Sequence, residues 1–125
     1  YSGLQNLKVL AGIKNKIGNL QIRDAMKRVG LDPDLKLSVK KYSLGMRQRL
    51  GLAQAMMESP SVLILDEPMN GLDKNGVEEI RQLLLSMKND HKTIVIASHN
   101  AEDIQVLCDE VYEMENGKLC NMNTV

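Results

Sequence analysis

Three short stretches bring together residue types able to act on a phosphate group. Val62-Leu63-Ile64-Leu65-Asp66-Glu67-Pro68 is an apolar run ending in two adjacent carboxylates. One carboxylate of such a pair can hold a magnesium ion, usually through water, and the next can orient or deprotonate a water attacking a phosphoryl group. Pro68 has no amide hydrogen and cannot extend a strand ladder, so the acids are presented at a strand end. An ordinary strand entering an acidic turn would look the same, and this pattern alone leaves both readings open. Ser43-Leu44-Gly45 opens a helix whose apolar face continues through Leu50, Ala53 and Met57. Free amides and the helix dipole favour an anion there, although an isolated serine at a helix start also reads as a simple N-cap. Ala97-Ser98-His99 ends a second β-branched run. Two consecutive parallel strands would then deliver an acid pair and an imidazole to one sheet edge, which is the layout of a site. His91, within Asn89-Asp90-His91-Lys92, reads as a solvated turn residue with no role.

The elements that must position these residues are legible from periodicity. Leu4, Leu7, Leu10 and Ala11 have helical spacing, as do Ile22, Ala25, Met26 and Val29, with Gly30 as a stop. Leu31-Asp32-Pro33-Asp34 is a turn, and a third helix is predicted from Ser43 to Glu58, ahead of Pro60. From residue 62 the texture alternates. Val62–Leu65 reads as a buried strand, Val77 to Met87 as a helix, Thr93–Ala97 as a strand and Ala101–Cys108 as a short helix. Glu110–Met114 and Lys118–Cys120 flank Asn116-Gly117, which favours a tight hairpin. Alternating strands and helices imply an α/β fold with a parallel sheet.

The 125 residues are 43% hydrophobic yet contain no Trp or Phe, so the core must be built from Leu, Ile, Val and eight Met. Methionine packs adaptably but specifies shape loosely. The net charge of zero hides an asymmetry: residues 1–60 hold 11 Lys/Arg against 4 Asp/Glu, and 61–125 hold 5 against 12. Two subdomains are expected, a helical one over 1–60 and an α/β one over 61–125. The basic half lacks aromatic interleaving and any long single-sign run, so no nucleic-acid partner is expected. Cys108 and Cys120 have no metal-ligand spacing and read as a reduced pair. No apolar run is long enough to span a bilayer, so a membrane role would come through a partner.

Taken in order, Tyr42-Ser43-Leu44-Gly45-Met46-Arg47-Gln48-Arg49-Leu50, Leu63-Ile64-Leu65-Asp66-Glu67-Pro68-Met69-Asn70-Gly71-Leu72-Asp73 and Ser98-His99 resemble the signature, Walker B, D-loop and H-loop of ABC ATPases. The resemblance covers nearly the whole chain. It implies a P-loop NTPase (RecA-like) sheet behind a helical signature subdomain, with ATP and Mg2+ as cofactors. By the same resemblance Asp66 would organise the magnesium, Glu67 would be the catalytic base and His99 would contact the terminal phosphate. Ser43 and Gly45 would bind the ATP held by a second nucleotide-binding domain, and Asp73 would communicate between the paired domains. Leu44 and Met46 stand where many members have glycine and glutamine, a form similar to bacitracin and lantibiotic exporters. The implied partner is a transmembrane permease that holds the ATPase at the cytoplasmic face of a membrane.

A phosphate loop needs Gly, four residues, then Gly-Lys-Ser/Thr. Only Gly71 and Gly76 have that spacing, and Val77-Glu78 follows them. The chain also starts without methionine. The expectation is therefore a fragment lacking the Walker A strand, inactive alone and prone to self-association through the edge of Thr93–Ala97, unless Glu110–Met114 slides across to close the gap. A soluble, non-transport ABC ATPase and a non-catalytic module donating only its signature helix are the alternative readings.

Overall fold

A computed structural model of the chain describes residues 1–14 and 18–121. Three helices come first: α1 (Gly3–Lys14), α2 (Asn19–Arg28) and α3 (Leu44–Met56). Lys27 and Arg28 in the last turn of α2 suit the negative end of its dipole. Gly30 then takes φ +83°, and the Leu31 amide returns to the Met26 carbonyl at 2.9 Å. A side chain at Gly30 would be strained by that φ and would also meet the Arg49 guanidinium. The chain passes through the expected turn at 31–34 and a single 3-10 turn, Val39–Lys41, before α3. Buried Tyr42 accepts a hydrogen bond at its hydroxyl from the Gly3 amide at 3.1 Å, which docks the start of α1 beside the start of α3.

The second half is a β-α-β unit followed by a short helix and a hairpin: β1 (Val62–Asp66), α4 (Lys74–Asn89), β2 (Thr93–Ala97), α5 (Ala101–Leu107), β3 (Tyr112–Glu115) and β4 (Lys118–Asn121). β1 and β2 are parallel and in register from Val62 opposite Thr93 to Asp66 opposite Ala97. The crossover through α4 is what a parallel pair requires. Asn116 and Gly117 take φ of 50° and 76°, the two positive values of a type I′ turn, and join β3 to β4. Leu7, Met26, Leu50, Ala53, Leu63, Leu65, Ile80, Leu84 and Met87 all belong to one buried cluster. Both charge-segregated halves therefore contribute to the same core.

One expectation needs correction. Val62–Leu65 does not form a strand buried on both faces. Leu63 and Leu65 face the core, while Val62 and Ile64 on β1 are 54% and 77% exposed and Val95 on β2 is 52% exposed. Among the described residues nothing covers that face. Among the described residues the parallel sheet is two strands wide: β2 pairs with β1, its other edge stays open, and β3 pairs with β4 and does not slide across to β2. The Asn116-Gly117 turn brings β4 back beside β3 as its antiparallel partner. Cys108 and Cys120 are both free.

Candidate functional site

The carboxyl ends of β1 and β2 lie side by side, and this places Asp66, Glu67 and His99 on one edge. Asp66 is the last residue of β1 and is exposed. Glu67 leaves the strand with φ +47°, a left-handed conformation that costs a non-glycine residue on the order of 1–3 kcal/mol. Its contacts hold it there. Its amide donates to the Ala97 carbonyl at 2.8 Å, and its own carbonyl accepts from the Asn70 amide at 3.1 Å. The Glu67 carbonyl also accepts from Gln48 Nε2 at 2.8 Å, and Glu67 Oε1 accepts from the His99 amide at 2.9 Å. The His99 ring itself is fully exposed, with Nε2 3.8 Å from Glu67 Oε1. The structure thus brings Glu67 and His99 together through the histidine backbone and leaves the imidazole free to meet a ligand.

Ser43 caps α3: its Oγ accepts from the Met46 amide at 3.1 Å. The hydroxyl is exposed all the same, at the rim of a cavity of about 430 Å3 lined by Ser43, Leu44, Gly45, Met46, Arg49, Gly71, Leu72 and Asp73. Gly45 sits against the 68–71 turn so closely that a Cβ would lie 3.0 Å from the Gly71 carbonyl oxygen. Gly71 takes φ +81°, and Leu44 packs where its side chain would be. Asp73 caps α4 by accepting from the Gly76 amide at 2.7 Å. Ser43 and Gly45 therefore share a cavity with Asp73. Asp66, Glu67 and His99 lie on the strand-end edge, and Gln48 links α3 to that edge. His91, in an exposed turn at φ +61°, is in neither group.

Long polar side chains lock this frame, and their roles escaped sequence reasoning. Arg49 Nη1 reaches the Val29 carbonyl at 2.7 Å and Glu79 at 3.0 Å, tying α2, α3 and α4 together. Arg81 on α4 pairs with Asp103 at 2.5 Å and with Glu102 at 3.6 Å. Asp103 is the buried acid of α5. The hydrogen bond to Asp103 raises the Arg81 pKa from its ordinary value, against desolvation and with the charges of Asp103, Glu102 and Glu78 in support. α5 follows His99 directly and is capped by Asn100, whose Oδ1 accepts from the Asp103 amide at 2.9 Å. An asparagine at a helix start was the available signal for that cap. Nothing local in the sequence marks the reach of Gln48, Arg49 or Arg81.

Asp66 is an exposed carboxylate at the strand end, a donor that would fit a magnesium ion held largely by water and phosphate oxygens. The site does not suit an all-protein cage: among the described residues no group of three or more His, Cys, Asp or Glu converges.

Residues 4–70 match the family described as ABC transporter. The uncharacterised ABC transporter ATP-binding protein YybJ of Bacillus subtilis (strain 168) is 45% identical over 119 residues, covering 95% of this chain and 55% of the relative. The bacitracin transport ATP-binding protein BcrA of Enterococcus faecalis is 40% identical over 94% of this chain and 39% of its own length. The lantibiotic transport ATP-binding protein SrtF of Streptococcus pyogenes is 39% identical over 94% and 51%. The chain thus spans about half the length of the curated relatives it matches. The dimeric structure of MJ0796, a bacterial ABC transporter cassette, superposes with a TM-score of 0.83 over 95% of this chain and 54% of that one. At 20% identity this likeness speaks for the fold.

Proposed function

The chain belongs to the ABC transporter ATP-binding family, and from that premise we propose that it supplies the signature-bearing and hydrolytic half of an ATPase site that drives export. The observation that carries the reading is Glu67, tethered at its amide, its carbonyl and one carboxylate oxygen where two parallel strands end. Such a carboxylate is pre-positioned to orient and deprotonate a water for attack on a terminal phosphate. Asp66 beside it would hold the magnesium, which supplies charge neutralisation on the phosphate oxygens when bound. His99 offers its exposed ring to the same phosphate.

Ser43 and Gly45 would meet the ATP of a second nucleotide-binding domain, and Asp73 would carry contact between the two domains. The cavity that Ser43 and Gly45 share with Asp73 supports this pairing. Residues 1–60 then act as the signature subdomain and residues 61–125 as part of the ATPase core. Among the described residues no helix is long and apolar enough to cross a membrane. In this reading the partner is a transmembrane permease that holds the chain at the cytoplasmic face.

The relatives named for bacitracin and lantibiotic transport support a peptide antibiotic as the substrate class. The test is ATP turnover by the permease-bound assembly in proteoliposomes. Stimulation by a bacitracin- or lantibiotic-type peptide is the expected result. Turnover that ignores such peptides sinks the substrate class, and an assembly that never releases phosphate sinks the ATPase reading itself.

A further inference from the structure

Three of the tethers on Glu67 come from nearby in the fold: Ala97 and His99 on the β2 side, and Asn70 three residues along the chain. The fourth comes from a different element. Gln48, in the second turn of α3, sends Nε2 2.8 Å to the Glu67 carbonyl. That carbonyl belongs to the peptide joining Glu67 to Pro68. The proline ring restricts rotation on its own side of this peptide, so the direction of the carbonyl follows the ψ of Glu67, a residue already in the left-handed region at φ +47°. Holding the carbonyl therefore fixes the backbone from which the Glu67 carboxylate projects.

We propose that Gln48 is a positioning residue for Glu67 and ties the placement of that carboxylate to the Ser43–Gly45 end of α3. An α-helix moves nearly as a rigid rod over one or two turns, and Gln48 stands five residues beyond Ser43, the N-cap of the same helix. A shift of the capped end when it meets an anion is passed to the amide of Gln48 and from there to the Glu67 carbonyl. The Gly45 backbone against the Gly71 carbonyl is a second brace between α3 and the segment that follows Glu67. The two contacts bracket residues 67–71, so α3 steers that segment from both ends. The inference rests on Glu67 being the base of the proposed reaction.

The experiment uses the ATP-hydrolysing assembly that contains this chain. Gln48→Met keeps the length of the side chain and removes the donor. Its turnover number should fall about ten- to a hundredfold, as for a reacting group displaced by a fraction of an ångström, while KM for ATP stays within about twofold of the parent. Gln48→Glu turns a carboxyl group toward the carbonyl and can donate only when protonated. Its turnover relative to the parent should rise as pH is lowered from about 8 to about 6, whereas the Gln48→Met ratio stays flat. A packing role alone would give no such pH dependence. Unchanged turnover in Gln48→Met, or a loss confined to KM, overturns the proposal. Glu67→Gln separates the two layers. If Glu67→Gln is inactive and Gln48→Met is normal, the positioning role alone falls; if Glu67→Gln still turns over, the base assignment falls and takes this inference with it.

Discussion

Glu67 Oε1 accepts a hydrogen bond from the backbone amide of His99 at 2.9 Å, while the His99 ring nitrogen Nε2 stands 3.8 Å from the same oxygen and is exposed. The backbone and side chain of His99 therefore have separable roles. The amide belongs to the ordered end of β2 and holds the acid in place, and no substitution other than proline removes it. The ring, beyond hydrogen-bond distance of Glu67 and fully exposed, is open to a ligand outside the chain.

In an ATP-hydrolysing assembly Glu67→Gln should bind ATP and fail to cleave it, because an amide oxygen still accepts from the His99 amide while the proton acceptor is gone. His99→Ala keeps the tether on Glu67 and loses only the ring, so turnover should drop by about a hundredfold or more with Glu67 still held. Phosphate release and nucleotide retention measured side by side check both. A turnover number near that of the parent in either variant removes that residue from the site.

The 125 residues by themselves should release no appreciable phosphate from ATP. In the proposed site Glu67 and His99 would act only on a phosphate held within reach, and these residues include no Gly-rich loop with Lys-Ser/Thr to hold one. A steady-state assay on rigorously purified chain is sufficient. Turnover that persists and disappears on Glu67→Gln would show that another group in these residues grips the nucleotide.

Much of this arrangement was legible because the informative residues act locally. Gly30 stops a helix through its own φ, Asn116-Gly117 makes a turn through theirs, and Pro68 ends a strand by lacking a donor. Apolar β-branched runs also located β1 and β2 within a residue of their ends. The same runs misled on burial, since Val62-Leu63-Ile64-Leu65 has no polar alternation and reads as buried on both faces, whereas only Leu63 and Leu65 are covered. What covers a strand face is a property of other elements and leaves no mark on the strand. Gln48, Arg49 and Arg81 were illegible for a related reason: their partners lie 19 to 30 residues away, and a long polar side chain on a helix reads as solvated until its neighbour is known.

Asp73 has a structural role separable from any communication between domains. Its Oδ1 accepts from the Gly76 amide at 2.7 Å and caps α4. Asp73→Ala should lower the stability of the chain by about 1 kcal/mol, seen as a lower urea midpoint with an unchanged m-value. Asp73→Asn keeps an oxygen at the cap and should lose much less. If Asp73→Ala unfolds at the parental midpoint, the cap contributes nothing and the residue is free for another role.

The two cysteines should differ in reactivity. Burial pushes the Cys108 thiol pKa up, the adjacent Asp109 charge pushes it the same way, and Lys88 opposes them only in part. A raised pKa means less thiolate at neutral pH, so Cys108 should alkylate more slowly than a free thiol in solution, with a rate that climbs as pH increases toward that pKa. Lys88→Met removes the opposing charge and should slow Cys108 further. Mass-resolved alkylation over a pH series reads this directly, and a Cys108 that reacts as fast as exposed Cys120 at neutral pH contradicts it.

The outer edge of β2 has no partner among the described residues, and its Val95 joins Val62 and Ile64 on an uncovered apolar face. An open edge of this kind is a template for another strand, and β2 carries neither proline nor charge to discourage pairing. The hairpin does not close it: β3 pairs with β4 over four registered pairs and not with β2. The 125-residue chain should therefore associate with itself as concentration rises, through this edge and face. Ile64→Lys combined with Val95→Lys places charge on the exposed face while leaving Leu63, Leu65 and the core beneath untouched, and should shift the chain toward monomer without unfolding it. Sedimentation velocity across a concentration series compares the two. A parent chain that stays monomeric at high micromolar concentration, or a lysine variant that associates as strongly as the parent, would exclude this surface as the route to assembly.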